Sequence, residues 1–108
     1  MKIEILTVSG CPTASITTDL VLRLCGELGI EGPIISIDIE DEESAQELHF
    51  LGSPSVRING LDVEEARQSD QAYGLGCRLY SGKQGVSGVP SDEQIRVALV
   101  RAMEGELL

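Results

Sequence analysis

Gly52-Ser53-Pro54-Ser55-Val56-Arg57-Ile58-Asn59-Gly60 is the stretch whose reading decides the fold. Val56 and Ile58 alternate with polar neighbours, the period of a half-buried strand over Ser55 to Ile58. Asn59-Gly60 is a strong two-residue hairpin signal, because the favoured turn needs positive φ at both positions. Leu61-Asp62-Val63 is then expected to return as a short strand antiparallel to the first.

Upstream of this hairpin, Ile34, Ile35, Ile37 and Ile39 give Pro33 to Glu40 a strong β preference. The acidic cluster Asp38, Glu40, Asp41, Glu42 and Glu43 follows at once and predicts a short helix at about 42–49. Negative charge in a first helical turn is favoured by ~0.3–1 kcal/mol per residue, so a helix start outweighs a metal site here. Near the N-terminus, Ile3, Ile5, Leu6 and Val8 predict a buried strand over 2–8, ended by Ser9-Gly10. Ala14, Val21, Leu24, Cys25 and Leu28 recur at helical spacing and predict a helix over about 12–29. Pro12 suits its first position, where the missing N–H costs nothing, and Gly29 suits its stop.

Downstream the pattern weakens. Residues 66–75 are polar, Cys77-Arg78-Leu79-Tyr80 could form one more short strand, and 81–90 reads as a flexible loop with Gly82, Gly85, Gly88 and Pro90. Ser91 with Gln94 three residues on forms a capping box for a last helix, whose apolar face is Ile95, Ala98, Leu99, Ala102 and Met103. The order is β-α-β-α-β-β-α in a single domain over 1–108, with an insert at about 66–90 before the last helix. A right-handed crossover makes the first two strands parallel, and the hairpin makes the last two antiparallel. The expected fold is α/β, a mixed four-stranded sheet with helices on its faces.

The formal charge is −10, and the aromatic residues are Phe50, Tyr73 and Tyr80. Such a chain has neither the cations for nucleic-acid phosphates nor a platform for stacking bases. It is also poorly suited to an anionic membrane surface. No apolar run reaches membrane-spanning length. Met1-Lys2-Ile3-Glu4 leads directly into a strand pattern without the features of a signal peptide, so the expected location is the cytoplasm. Three cysteines in such a chain point to thiol chemistry, metal binding or core packing rather than a disulfide framework.

Cys11 stands where the first strand gives way to the first helix. A thiol there faces unpaired N–H groups and the positive end of the helix dipole. Both favour the thiolate, which is the nucleophile and the soft-metal ligand. The plainer alternative is a small residue closing a tight turn. Cys25 lies on the apolar face of its helix and reads as core. His49 reads as a helix C-terminal cap. No His/Asp/Glu set has metal-ligand spacing, and the glycines at 74–88 lack the spacing and the lysine of a phosphate loop.

Gly10-Cys11-Pro12 at the first strand–helix junction, with Ser53-Pro54 before the third strand, resembles the thioredoxin-like superfamily. The resemblance covers the chain apart from about 66–90. It implies a reactive cysteine at Cys11 and a cis-proline at Pro54 facing it. A cis bond would leave the Ser53 backbone free to pair with an extended peptide or glutathione beside Cys11. Residues 52–60 also look like the strand-and-hairpin segment of glutaredoxins. Tyr73-Gly74-Leu75-Gly76-Cys77-Arg78-Leu79-Tyr80 looks like a group of small prokaryotic thioredoxin-like proteins, some labelled as related to alkylmercury lyases. On this resemblance the reacting residue is Cys11, and the candidate substrate-contacting residues beside it are Pro12, Ser53, Pro54 and Arg78. The implied partner is a disulfide-bearing protein or glutathione, with no cofactor and no metal.

The chain departs from the dithiol pattern. Ala14 occupies the second position of Cys-x-x-Cys, and Ser15 is one residue out of register. Cys11 therefore acts alone or with another cysteine. Because the fourth strand runs back towards the Cys11 end, the insert places Cys77 as the candidate, with Arg78 beside it to favour its thiolate. A half-buried strand cysteine is the alternative. Three functions stay open: a thiol–disulfide oxidoreductase or redox sensor, a soft-metal or organomercurial binding module using Cys11 and Cys77, and a non-catalytic interaction domain.

Overall fold

A computed structural model of the chain describes residues 1–82 and 85–106. The strands are β1 (Ile3–Thr7), β2 (Ile34–Asp38), β3 (Ser55–Ile58), β4 (Leu61–Asp62), β5 (Tyr80–Gly82) and β6 (Gly85–Ser87). The helices are α1 (Ala14–Leu28), α2 (Glu42–Glu47) and α3 (Asp92–Glu106), with a 3-10 turn at Glu65–Arg67. The main sheet is mixed and has the order β2-β1-β3-β4; β5 and β6 form a separate hairpin. β1 runs parallel to β2 and antiparallel to β3, pairing Leu6 with Ile37 on one side and with Ser55 on the other. Among the described residues no helix is long and apolar enough to cross a membrane.

The alternation of β1 divides the core. Ile3 and Ile5 join Val21, Leu24 and Cys25 of α1, Val56 and Ile58 of β3, and Ile95 and Leu99 of α3 in one cluster. Leu6 points the other way and packs with Ile39, Ala45 and Phe50 beneath α2. Side chains on successive strand residues face opposite sides, so one short strand serves both layers. Cys25 is buried in the first cluster, and burial pushes its thiol above the ordinary value.

The hairpin forms as read. Asn59 and Gly60 take φ of 53° and 82°, and Ile58 pairs with Leu61. β4 ends at Asp62 because the next residues turn inward. The Asp62 carboxylate accepts the Glu64 N–H at 2.8 Å, and Val63 is buried. The capping box also forms, with Ser91 N–H donating to Gln94 Oε1 at 2.9 Å and Gln94 N–H to Ser91 Oγ at 3.0 Å. At α2 the Asp41 carboxylate accepts the Ser44 N–H at 2.8 Å, so the acidic cluster does cap a helix.

Three local expectations are corrected. Pro12 lies outside α1, whose N-cap is Thr13, because Gly10 (φ 80°) and the Cys11 N–H to Val8 carbonyl bond at 3.2 Å make a tight turn first. His49, by contrast, does cap α2, through its backbone: at φ 54°, one residue beyond the Leu48 C-cap, it donates its N–H to the Gln46 carbonyl at 3.3 Å while Phe50 N–H reaches the Ala45 carbonyl at 2.8 Å, and its ring stacks on Tyr73 with centroids 4.7 Å apart. Within Cys77–Tyr80 only Tyr80 joins a strand ladder, although burial alternates along it, with Arg78 and Tyr80 buried and Cys77 and Leu79 exposed. The stretch 81–90 carries the β5–β6 hairpin in place of a plain loop; Lys83 and Gln84 of that stretch lie outside the described residues.

Candidate thiol site

The site is built where the β1–α1 turn meets the loop before β3. Thr13 is the N-cap of α1, yet its hydroxyl makes no cap bond. It donates to the Gly88 carbonyl at 3.0 Å. An N-cap oxygen ordinarily accepts from the first turn, so the leading N–H groups of the helix are left for another acceptor. Ala14 N–H donates to the Cys11 carbonyl at 3.4 Å, and the half-buried Cys11 thiol lies beside this helix start. Partial burial pushes its pKa up, but the Ser53 hydroxyl and the polar groups of Thr13 and Ala14 near the sulfur outweigh this and hold it below the ordinary value. The Cys11 sulfur lies 3.7 Å from Thr13 Oγ1.

Ser53 is oriented by its own hydrogen bonds. Its Oγ accepts the Val8 N–H at 3.1 Å, which leaves the hydroxyl proton free to point at Cys11. The Ser53–Pro54 peptide bond is cis. Pro54 is buried, and its carbonyl accepts the Tyr80 hydroxyl at 2.6 Å.

The insert crosses this end of the sheet as a strap fixed at each step. Gly74 N–H donates to the Phe50 carbonyl at 2.9 Å, and the Gln46 side-chain amide to the Tyr73 carbonyl at 3.2 Å. Ser53 N–H donates to the Gly76 carbonyl and Arg78 N–H to the Ser53 carbonyl, each at 3.0 Å. The pair forms a parallel bridge between Ser53 and Cys77. The Ser53 backbone is thus not open to an incoming chain, as the resemblance implied; residues 76–78 already pair with it.

Arg78 also departs from its expected role. Its guanidinium is fully buried, donates to both Asp62 carboxylate oxygens at 2.6 Å, and lies 3.4 Å from Glu64 Oε1. It also donates to Ser55 Oγ at 3.1 Å and sits 4.1 Å over the Tyr80 ring. Its charge serves these buried acids and not the Cys77 thiol. Burial pushes the Tyr80 phenol well above its ordinary range.

The structure therefore gathers Cys11, Ser53, Pro54 and Cys77 at one end of the sheet. Pro12 sits beside Cys11 on the surface, and Arg78 faces inward. Cys11 is half-buried, Cys77 exposed, and all three cysteines are free thiols. Sequence reading missed Thr13, Asp62, Glu64 and Tyr80. Thr13 carried a usable signal, a hydroxyl residue directly before a helical pattern. The chain matches no protein-family model, no curated protein and no solved structure. The functional reading accordingly rests on this geometry.

Proposed function

We propose that this is a thioredoxin-like thiol redox protein whose reacting group is Cys11. The observation that carries the reading is the place of the half-buried Cys11 sulfur, at the start of α1, 3.7 Å from Thr13 Oγ1, where the β1–α1 turn meets the Ser53 loop through the Val8 N–H to Ser53 Oγ bond. Its pKa is held below the ordinary value there, which favours the thiolate, the species that attacks disulfides or is oxidised to a sulfenic acid. The sheet order β2-β1-β3-β4, with Cys11 after β1 and Ser53-Pro54 before β3, supports the thioredoxin-like assignment. Ala14, the first residue of α1, stands where a dithiol site would hold its second cysteine. A second thiol would therefore come from Cys77, across Ser53. The partners of such a site are disulfide-bearing molecules, and three free cysteines suit the reducing cytoplasm.

The test is reaction of the native protein with an aromatic disulfide that releases a coloured thiolate. The first release should vanish in Cys11→Ser and persist in Cys77→Ser. Equal loss in both variants, or a Cys11 no more reactive than Cys77, would contradict the assignment.

A further inference from the structure

We propose that residues 76–78 are a built-in occupant of the Ser53 edge, which bars extended polypeptides and reserves Cys11 for small disulfides, with Cys77 as the resolving thiol. This rests on the redox reading above and specifies its substrate class. An extended peptide docks on a strand edge through that edge's free N–H and C=O groups. At Ser53 both groups are engaged, the N–H with Gly76 and the carbonyl with Arg78. The approach is closer than a side chain would allow. A Cβ on Gly52 would stand 3.0 Å from Arg78 Cβ and 3.1 Å from the Gly76 oxygen. The strap is also held beyond the bridge. Arg78 is locked to Asp62, and Ser81 N–H donates to Glu64 Oε2 at 2.9 Å. Displacing it would break the two bridge bonds and pull a buried cation from its acids.

The same bridge carries Cys77 to the reacting sulfur. Partners in a parallel bridge lie about 4.8 Å apart with their side chains on one side. Cys77 thus stands beside Ser53, whose Oγ accepts the Val8 N–H at 3.1 Å and so ties this loop to the turn that holds Cys11. In the first step the Cys11 thiolate attacks one sulfur of a small disulfide RSSR. The Cys11–SR bond forms, the RS–SR bond breaks, and RS⁻ leaves to take a proton from water. The Cys77 thiolate then attacks Cys11 Sγ, forming the Cys11–Cys77 disulfide and expelling the second RS⁻. Two protein thiols are oxidised, and RSSR is reduced to two RSH.

The experiment compares two probes on the reduced full chain. One is bis(2-hydroxyethyl) disulfide. The other is an extended peptide whose cysteine carries the same 2-mercaptoethanol leaving group. The small probe should oxidise the protein faster by about tenfold or more, the factor expected when two backbone hydrogen bonds must first be broken. Mass mapping should find a Cys11–Cys77 bridge, and Cys77→Ser should instead accumulate the mixed disulfide at Cys11. Gly52→Ala, which pushes the strap away, should narrow the gap between the probes; the wild-type comparison decides the matter should that variant not fold. Equal wild-type rates would overturn the strap's role while leaving the redox reading intact. A bridge through Cys25, or none, would overturn the part given to Cys77. Failure of Cys11 to react with either probe would overturn the redox reading and this proposal with it.

Discussion

Thr13 has one hydroxyl proton and two acceptors within reach, the Gly88 carbonyl at 3.0 Å and the Cys11 sulfur at 3.7 Å. Ser53 has no such competition, since its Oγ accepts from Val8 and its proton is left for Cys11. Ser53→Ala should therefore raise the Cys11 pKa more than Thr13→Val does, as read from thiolate ultraviolet absorbance against pH. The depressed pKa also has a consequence for folding. The native state releases the Cys11 proton before the unfolded chain does, so the associated stability is full above the unfolded thiol's ~8.5 and is lost as pH falls through the folded pKa. The difference in denaturant midpoint between wild type and Cys11→Ser should grow with pH and level off above about 8.5. At this scale the place of Cys11 was legible in Gly10-Cys11-Pro12. Ser53 was placed beside Cys11 by the resemblance, but the use of its hydroxyl was not legible, because Ser53 is brought there from 42 residues along the chain by the pairing of β1 with β3.

At the scale of elements, the hairpin and the caps were legible because their chemistry is local. Asn59-Gly60 sets the turn between β3 and β4, and Gly29 in the left-handed region ends α1. Ser91 and Gln94 exchange their two cap bonds at the start of α3. Ser91→Ala should cost ~0.5–2 kcal/mol in urea unfolding, with the slope of the transition unchanged. Pro12 shows where local rules compete. Its fixed φ suits a first helical turn, but the turn closed by Cys11 N–H comes first, and the helix starts after Thr13. The β5–β6 hairpin was hidden because its anchors are distant. Tyr80 reaches the Pro54 carbonyl and Ser81 reaches Glu64, contacts that glycine-rich composition does not encode.

Across the whole molecule, the buried Arg78–Asp62 pair with Glu64 ties the strap to β4 and to the underside of the Ser53 loop. A lone arginine in sequence reads as a surface residue, because charged side chains are rarely buried unless paired. Its acids lie 16 and 14 residues away, so only the fold brings them together. Arg78→Leu should destabilise the protein by about 3–5 kcal/mol, because it strands the buried acids. Replacing Asp62, Glu64 and Arg78 together by apolar residues should recover much of that loss in urea unfolding. The parallel and antiparallel pairings of the mixed sheet were legible from strand order and the hairpin. The strap's bond to Ser53 was not, since an isolated bridge leaves no periodic signal.

The central claim is that the fold activates the Cys11 thiol. Its most direct test is the rate of Cys11 alkylation by iodoacetamide against pH, followed by mass spectrometry of the Cys11 peptide so that Cys77 and Cys25 do not contribute. The account predicts a titration midpoint below the free-thiol value of ~8.5, moving upward in Ser53→Ala. A midpoint at or above the free-thiol value in the wild type would contradict it.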